Sequence, residues 1–265
     1  MILAVDIGNT NIVVGCIQGD EILFVERLST DSTKTVLEYA ISFKNVLELY
    51  KIPQKQIQGA IMASVVPPVA PIVREAIEKI TTKHVLSVGP GVKTGLNILM
   101  DNPATLGSDL VANAVAGIAE YEPPLIIFDF GTATTISVVD KNKNYIGGSI
   151  LPGIRISSDT LTSRTSQLPK ISLEAPRKVI GTNTIDCMKS GVIYGNAACI
   201  DGMIQRIEEE LGQKATVIAT GGLAECVVPH CRESIVLDDA LLLKGLKFIY
   251  RKNTGFRVPQ NHSAT

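Results

Sequence analysis

One sequence phrase occurs twice in the chain and constrains its fold more than any other feature. Each copy is an apolar strand ending in Asp-x-Gly, followed by a turn of hydroxyl and amide side chains and by a β-branched strand; the copies span 5–14 and 128–138. Their aspartates, Asp6 and Asp129, stand 123 positions apart in a chain of 265 residues. A repeat spaced by nearly half the chain indicates a duplicated domain. We therefore predict two related lobes whose loops face one cleft.

Hydrophobic periodicity predicts that each half starts with strands and continues with helices. In the first half, the opening strands predict an antiparallel meander, and the later strands, separated by helices, predict parallel pairing. The predicted elements of the first half are strands 2–5, 12–17, 21–27, 59–66 and 85–86 and helices 31–50, 69–81 and 109–119. Those of the second half are strands 125–128, 144–150 and 215–219 and helices 153–164, 183–211 and 238–250. The fold class is α/β, and we predict lobes over 1–118 and 119–250 and a flexible tail over 251–265.

Composition excludes several classes of protein. The chain has 25 Lys plus Arg against 26 Asp plus Glu, so no global field draws it to nucleic acid or to anionic lipid. No apolar run approaches the roughly 18 to 20 residues of a membrane span, so the mean hydropathy of +0.24 indicates a large buried core. Asp6 interrupts the apolar N-terminus before a signal peptide could form. We expect no nucleic-acid or membrane partner.

The five cysteines are an odd set without a Cys-x-x-Cys pair, which predicts reduced thiols and a cytoplasmic location. Cys226, His230 and Cys231 lie close enough in sequence to suggest a metal clip. Three residues without a partner pair fit few zinc sites, so packing is the favoured interpretation over metal binding.

The two Asp-x-Gly turns have the chemistry of phosphate loops. Gly8 permits a tight turn and close backbone approach, while Asn9–Asn11 add side-chain donors to the exposed backbone amides. Asp6 can hold Mg²⁺ directly or through water. Either turn alone is equally well explained as a simple hairpin turn. The occurrence of two matching turns favours phosphate binding, and we expect the two loops to bind one polyphosphate from both sides.

Neither loop carries Lys or Arg, and the chain has no Gly-x-x-x-x-Gly-Lys sequence. Metal must therefore supply the positive charge that a polyphosphate needs. The segment Gly89–Gly95 has the wrong glycine spacing for a dinucleotide fingerprint, and we interpret it as a connector.

A third informative stretch surrounds Asp109. Gly107 makes the approach a loop, and Asp109 stands at or beside the start of a helix. Ser108 or Asp109 can serve simply as the helix N-cap. Asp109 can instead accept or orient the proton of a substrate hydroxyl as phosphoryl transfer begins. The stretch alone leaves both interpretations open.

Five motifs in this order and spacing resemble those of the type III pantothenate kinase family: Asp6–Asn11, Gly107–Asp109, Asp129–Thr134, Gly147–Gly153 and Thr220–Gly222. The resemblance covers nearly the whole chain to about Tyr250. It implies the duplicated ribonuclease-H-like fold of the superfamily that joins acetate and sugar kinases, heat-shock chaperones and actin. It also implies ATP-dependent phosphorylation of the pantothenate primary hydroxyl, the first step toward coenzyme A.

By that resemblance, each motif has a role. Asp109 is the proton acceptor, Asp129 ligates a monovalent cation, K⁺ or NH₄⁺, and Asp6 meets Mg²⁺ that accompanies ATP. The residues implied in ATP binding are Asp6, Ile7, Gly8, Asn9, Thr10, Asn11, Ile12, Val13 and Thr132, and those implied in pantothenate binding are Gly107, Ser108, Asp109, Leu110 and Thr184. A homodimer is implied too, and the small-residue stretch Asn183–Cys199 could form its contact.

Two positions depart from the family pattern. Leu110 stands where the family usually has Arg, and Met100 where a Tyr is common. Both changes fall on the acceptor side, where Arg155 or Arg164 could replace the lost charge, although a solvated arginine is the simpler interpretation of each. Two alternative functions follow: a non-catalytic regulator that binds nucleotide or pantothenate, and a kinase or phosphatase acting on another small alcohol or acid. Retention of the three aspartates argues against the regulator, whereas Leu110 keeps the other substrate open.

Overall fold

The structure is a computed structural model, and it describes residues 1–255. They form two compact units: Met1–Gly95, Ala104–Ala116 and 242–255 make the first, and Leu96–Pro103 and Gly117–Leu241 make the second. Each unit contains one mixed β-sheet, which confirms the α/β class. The division differs from the lobes drawn on the sequence because the last helix belongs to the first unit instead of the second.

The first unit is built on a five-stranded sheet. Its strands are β1 (Ile2–Ile7), β2 (Asn11–Gln18), β3 (Glu21–Ser29), β4 (Gly59–Ser64) and β5 (Val85–Ser87). Their order is β3-β2-β1-β4-β5; β1, β2 and β3 are antiparallel, and β4 and β5 continue in parallel from β1. The predicted meander and the parallel strands after it are both confirmed. The central strand β1 is apolar because it is buried along almost its whole length.

Helices α1 (Val36–Leu49) and α2 (Ala70–Thr81) pack on one face of this sheet, where Tyr39 and Phe43 join the side chains of β1 in one core. The first helix begins later than the predicted start near Asp31 because a capping box fixes its first turn. The Thr35 hydroxyl accepts the Glu38 N–H at 3.4 Å, and the Glu38 carboxylate accepts the Thr35 N–H at 2.7 Å.

The second unit is built on a six-stranded sheet. Its strands are β6 (Asn97–Ile98), β7 (Leu125–Phe130), β8 (Ala133–Val139), β9 (Asn144–Pro152), β10 (Thr216–Thr220) and β11 (Val236–Leu237), in the order β11-β10-β7-β8-β9-β6. The remaining helices of the chain are α3 (Ser108–Glu120), α4 (Ile154–Arg164), α5 (Thr184–Leu211), α6 (Ala224–Val227) and α7 (Leu241–Thr254), with short 3₁₀ helices at Gln54–Gln56, Pro103–Thr105 and Val228–His230. Phe128 and Phe130 of β7 share a core with α4, α5 and α6.

The two sheets repeat one topology. Without the edge strand β6, the second sheet reads β9-β8-β7-β10-β11, which matches β3-β2-β1-β4-β5 strand for strand. Asp6 pairs with Val13 across β1 and β2, and Asp129 pairs with Thr135 across β7 and β8. The two aspartates therefore occupy equivalent places near the end of equivalent strands. This repeat confirms the duplicated, ribonuclease-H-like fold.

The last helix corrects the predicted start of the tail. Where the sequence predicted a flexible tail from residue 251, α7 continues to Thr254. Arg251 donates to the Gly19 carbonyl at 2.6 Å and to the Asp20 carboxylate at 2.9 Å, and Asn253 exchanges two hydrogen bonds of 2.9 Å with the backbone of Lys93. These distant partners hold the extra turn. The rest of the predicted tail, 256–265, lies outside the described residues.

Among residues 1–255, none of the helices has the length and apolar character needed to cross a bilayer.

Candidate functional site

The first Asp-x-Gly turn joins β1 to β2 and has a fixed backbone. The Gly8 N–H donates to the Asn11 carbonyl at 3.0 Å. Thr30 braces the turn from the end of β3: its hydroxyl donates to the Gly8 carbonyl at 2.6 Å and its N–H to the Thr10 carbonyl at 3.0 Å. The side chains of Asn9, Thr10 and Asn11 remain exposed. A rigid turn with open amide and hydroxyl groups is suited to phosphate.

The other residues expected at the ATP phosphates lie in the two strands that flank this turn. Ile7 and Ile12 are paired across β1 and β2 and fully buried in the core, so any contribution they make to the site is through their backbone. Asp6 is half-buried at the end of β1. Its neighbours in the sheet are Val13 on β2 and Ala63 on β4, so its surroundings within the sheet are apolar.

A serine clasp brings the start of α3 to the same edge of the sheet. The Ser108 hydroxyl accepts the Ser64 N–H at 2.9 Å and donates to the Ser64 carbonyl at 3.1 Å. Ser64 ends β4 and pairs with Ile7 at the end of β1. Asp109, the next residue of α3, is thereby held at the strand end that carries Asp6. Within the first unit, the structure brings the two aspartates to one edge.

The Asp109 carboxylate is folded back over its own helix terminus. Its Oδ1 accepts the Leu110 N–H at 2.9 Å, and a Cβ at Gly107 would overlap that oxygen, so only glycine permits this position. Burial raises the pKa of Asp109, against the opposing effect of the backbone N–H groups of Leu110 and of Asp109 itself. The capping and proton-acceptor interpretations are thus compatible, because the carboxylate takes up a first-turn N–H and is also a stronger base than an exposed aspartate.

The second turn joins β7 to β8 and repeats the first with one residue fewer. The Gly131 N–H donates to the Ala133 carbonyl at 3.1 Å, as its counterpart does in the first turn. Thr132 is exposed at the tip. The backbone of Gly153, just after β9, packs against this turn so closely that a Cβ would lie 2.8 Å from the Gly131 carbonyl oxygen. The Gly147–Gly153 motif therefore supports the loop instead of forming a separate site.

Asp129 lies half-buried at the end of β7 between two threonines. Thr135 is its partner on β8 and Thr220 its partner on β10. Gly221 follows with φ +94°, and a Cβ there would lie 2.6 Å from Asp129 Oδ1. The Thr135 hydroxyl oxygen is buried and has no hydrogen-bond partner among residues 1–255. The second unit thus gathers a carboxylate, two hydroxyls and a closely packed glycine at one strand end.

The residues expected to bind the phosphoryl acceptor are spread over several elements. Leu110 is half-buried beside Asp109, Met100 is half-buried just beyond β6, and Thr184 is the exposed first residue of α5. Arg155 and Arg164, the candidates to replace a missing arginine, are exposed on α4. Their exposure agrees with the simpler interpretation of solvated arginines.

The cysteine-rich segment is packed into the second core. His230 packs edge-on against Tyr194, with ring centroids 5.3 Å apart, and the Cys231 thiol donates to the Val227 carbonyl at 3.7 Å. Desolvation, with the nearby Asp201 carboxylate, raises the pKa of Cys231 to about 12, which disfavours the thiolate that a metal would need. In the described part of the chain, no group of three or more His, Cys, Asp or Glu side chains is placed to hold a metal ion.

Three residues of these sites were not singled out from the sequence. Thr30 and Ser64 act through backbone groups that lie far away in sequence, and no local pattern marks such partners. Thr135 stood within the repeated phrase, where its pairing with Asp129 could have been derived from the hairpin register. That signal was present and was not used.

Duplicated sheets of this topology, each with an Asp-x-Gly turn at the end of its central strand, define a protein of the actin-like ATPase fold. Two solved structures share it: a protein from Campylobacter jejuni described as a Baf family transcriptional activator (TM-score 0.62, 20% identity, 96% of this chain and 100% of that one), and the activator of 2-hydroxyisocaproyl-CoA dehydratase from Clostridium difficile with bound ADPNP (TM-score 0.54, 12% identity, 94% and 93%). At such identities the likeness shows the fold alone.

The family is shown by sequence. The type III pantothenate kinase model matches residues 2–206. A type III pantothenate kinase from Exiguobacterium sp. is 47% identical over 253 residues, which cover 96% of this chain and 99% of the relative. The chain belongs to the type III pantothenate kinase family.

Proposed function

We propose that the chain performs its family's reaction, the phosphorylation of pantothenate on the path to coenzyme A, with Asp109 as the base that accepts the proton of the pantothenate hydroxyl. The reaction follows from family membership. The assignment of the base is supported by one observation above others: Asp109 is a half-buried carboxylate with a raised pKa, fixed by the Ser108 clasp at the strand end that carries Asp6.

ATP is the phosphoryl donor, and each of the two turns offers phosphate-binding groups. Backbone amides and the exposed side chains of Asn9–Asn11 and Thr132 provide neutral donors. Neither turn carries a cationic side chain, so the Mg²⁺ that accompanies ATP would supply the positive charge that its phosphates need. Asp6 is the residue that would hold Mg²⁺, directly or through water, since carboxylate oxygens are the protein ligands that Mg²⁺ prefers.

Asp109 has the protonation behaviour that this role requires. In the ionised form it accepts the hydroxyl proton as the bond to phosphorus forms, and because burial raises the pKa of Asp109, the ionised carboxylate is a stronger base for that proton. The remaining rate acceleration comes from alignment of the hydroxyl with the phosphoryl group and from charge neutralisation. Gly107, Leu110 and Thr184 are proposed pantothenate contacts, and Ser108 is proposed to contact pantothenate only through its backbone, because its hydroxyl is bonded to Ser64.

A monovalent cation, K⁺ or NH₄⁺, binds at Asp129. The surroundings of this carboxylate fit such an ion: Thr135 offers a buried hydroxyl oxygen without a partner among residues 1–255, and the strand partners of Asp129 on both sides are neutral threonines. When bound, the cation supplies positive charge near the nucleotide phosphates.

We also propose that the enzyme works as a cytoplasmic homodimer. The early part of α5 presents an exposed face of small residues, Gly191, Gly195 and Ala198, and Ile180 and Ile185 beside it are 82% and 47% exposed. Small side chains allow two helices to approach closely, and exposed apolar residues gain from being covered. Sedimentation of the purified protein tests the dimer.

A coupled kinase assay tests the reaction and the cation together. ADP release is measured with and without pantothenate, in KCl and in tetramethylammonium chloride of equal ionic strength. Turnover that needs both pantothenate and K⁺ is expected. Turnover only with another small alcohol would favour the alternative substrate that Leu110 leaves open, and absence of turnover with any acceptor would favour a regulator.

A further inference from the structure

A row of oxygen-bearing side chains crosses three strands of the second sheet. Asp129 lies at its centre on β7, Thr135 is its antiparallel partner on β8, and Thr220 is its parallel partner on β10. Directly paired residues of neighbouring strands point to the same face of a sheet, with Cβ atoms about 5 Å apart in antiparallel pairs. The side chains of Thr135 and Thr220 therefore lie on the same face of the sheet as that of Asp129.

The duplicated first sheet provides an internal comparison. Its equivalent row is centred on Asp6, and the flanking positions are Val13 on β2 and Ala63 on β4. The two rows occupy the same place in the same topology, but hydroxyls occur only in the row around Asp129. The fold itself does not require threonines there, because the first unit forms the same row with apolar residues.

The Thr135 hydroxyl is costly in the absence of a ligand. Its oxygen is buried and has no hydrogen-bond partner among residues 1–255, and Thr220 is only 3% exposed. A buried polar group without a hydrogen-bond partner destabilises the fold, and valine would fill the same space without that penalty. A ligand that uses the hydroxyl oxygen accounts for the threonine.

The oxygen donors of the row indicate which kind of ligand it can bind. Carboxylate and hydroxyl oxygens are hard donors, which suit hard cations. A single carboxylate with neutral oxygens balances one positive charge, whereas protein sites for divalent ions usually gather more charge or several waters. Gly221 closes the end of the row, since a Cβ there would lie 2.6 Å from Asp129 Oδ1.

We propose that the hydroxyl oxygens of Thr135 and Thr220 are ligands of the monovalent cation held by Asp129, and that this threonine pair is why the monovalent cation binds in the second unit and not at the equivalent place in the first. The inference rests on the proposed cation role of Asp129 and deepens it by naming the neutral ligands.

Thermal unfolding without substrates tests the ligands independently of activity. The melting temperature is measured in KCl and in tetramethylammonium chloride of equal ionic strength for the wild type, Thr135→Val, Thr135→Ser and Thr220→Val. The wild type and Thr135→Ser are expected to melt higher in KCl. Thr135→Val and Thr220→Val should lose most of that difference, and their half-saturating K⁺ concentration in the kinase assay should rise tenfold or more.

Two further variants, Val13→Thr and Asp129→Asn, distinguish failure of the threonine ligands from failure of the cation site itself. Thr135→Val should melt at or above the wild-type temperature without K⁺, because it removes the unsatisfied hydroxyl, so lost K⁺ sensitivity cannot be attributed to misfolding. Val13→Thr, at the equivalent place in the first unit, should leave the K⁺-dependent difference in melting temperature unchanged. A wild-type K⁺ response in Thr135→Val and Thr220→Val, with loss in Asp129→Asn, overturns the threonine ligands alone. No K⁺-specific response in the wild type, or an unchanged one in Asp129→Asn, overturns the cation site as well.

Discussion

The Ser108 hydroxyl exchanges two hydrogen bonds with the backbone of Ser64, accepting its N–H at 2.9 Å and donating to its carbonyl at 3.1 Å. The family resemblance implies that Ser108 contacts pantothenate, but in this structure its hydroxyl is engaged with β4. The pair joins the first residue of α3 to the end of a sheet strand. Asp109 follows directly, so the position of the proposed base depends on this clasp.

Ser108→Ala tests the clasp. It removes both hydrogen bonds and leaves the Ser64 backbone groups without that partner, so α3 can shift at its N-terminus. A displacement of a reacting group by about 1 Å can cost roughly a hundredfold in rate, and we expect kcat to fall about ten- to a hundredfold with little change in the KM for ATP. Steady-state kinetics in both substrates measure the split.

Ser64→Ala is the matched control for the clasp. The Ser64 hydroxyl accepts the Val66 N–H at 3.1 Å, whereas Ser108 uses only the Ser64 backbone. The control should therefore keep the clasp and most of kcat. A Ser108→Ala enzyme that loses pantothenate affinity but keeps kcat would show instead that the serine serves as a substrate ligand.

Asp109→Asn tests the base itself. The amide keeps the shape of the side chain but cannot accept the hydroxyl proton, so kcat should fall by about a hundredfold or more. In the wild type, activity requires the ionised carboxylate, and burial raises its pKa above the ordinary 3.8. The acid limb of the kcat/KM profile should therefore lie above that value. Near-normal turnover of the variant with pantothenate would exclude the assignment.

The same substitution has a stability signature. Because the folded-state pKa of Asp109 is raised, ionisation costs more in the folded than in the unfolded chain. That cost is present above the folded pKa and disappears as pH falls below the unfolded one. Asp109→Asn should accordingly melt no lower than the wild type at pH 7, with an advantage that shrinks toward acid pH. A variant that melts lower at every pH would indicate that the ionised carboxylate stabilises the fold.

The sequence predicted much of the fold because the relevant signals were local. Strand and helix periods located the longer strands and helices but not β6, β11, α6 or the 3₁₀ helices, and the repeated phrase around Asp6 and Asp129 predicted the duplicated topology that the two strand orders confirm. Element ends were less predictable. The start of α1 was missed because Thr35 and Glu38 form a capping box, and the end of α7 because Arg251 bonds to a turn near the other end of the chain.

In the candidate site, too, contacts between segments that are distant in sequence could not be predicted from local patterns. Motif residues such as Asp109 were identified from sequence, but the Ser108–Ser64 clasp and the Thr30 brace join segments that only folding brings together. The burial that raises the pKa of Asp109 is likewise a property of the packed unit. Sequence patterns thus indicated which residues carry chemistry, whereas the groups that position them required the structure.

Gly221→Ala tests the close packing behind Asp129. The residue has φ +94°, and a Cβ would meet Asp129 Oδ1 and the Phe130 nitrogen, both at 2.6 Å. Backbone strain and overlap together should lower the free energy of unfolding by about 2–4 kcal/mol. The K⁺ dependence of activity should weaken too, because the carboxylate has to move. Chemical denaturation and a K⁺ titration measure the two effects.

Gly212→Ala separates strain from overlap in that experiment. Gly212 caps α5 with φ +68°, and a Cβ added there would have open space around it within residues 1–255, so alanine meets strain alone. Gly212→Ala should lower the free energy of unfolding by only about 1–2 kcal/mol and leave the K⁺ dependence of activity unchanged. If both variants lost the same amount of unfolding free energy, the contact with Asp129 would be unimportant for stability.

Leu110→Arg tests whether the departure from the family pattern weakens substrate binding. Leu110 is half-buried beside Asp109, at the position where the family resemblance implies Arg. A guanidinium can pair with a carboxylate such as that of pantothenate, so the variant should have a several-fold lower KM for pantothenate and an unchanged KM for ATP. The added positive charge should also lower the pKa of Asp109 and move the acid limb of the pH profile to lower pH. An unchanged pantothenate KM with a shifted acid limb would mean that Leu110 faces the base and not the substrate carboxylate.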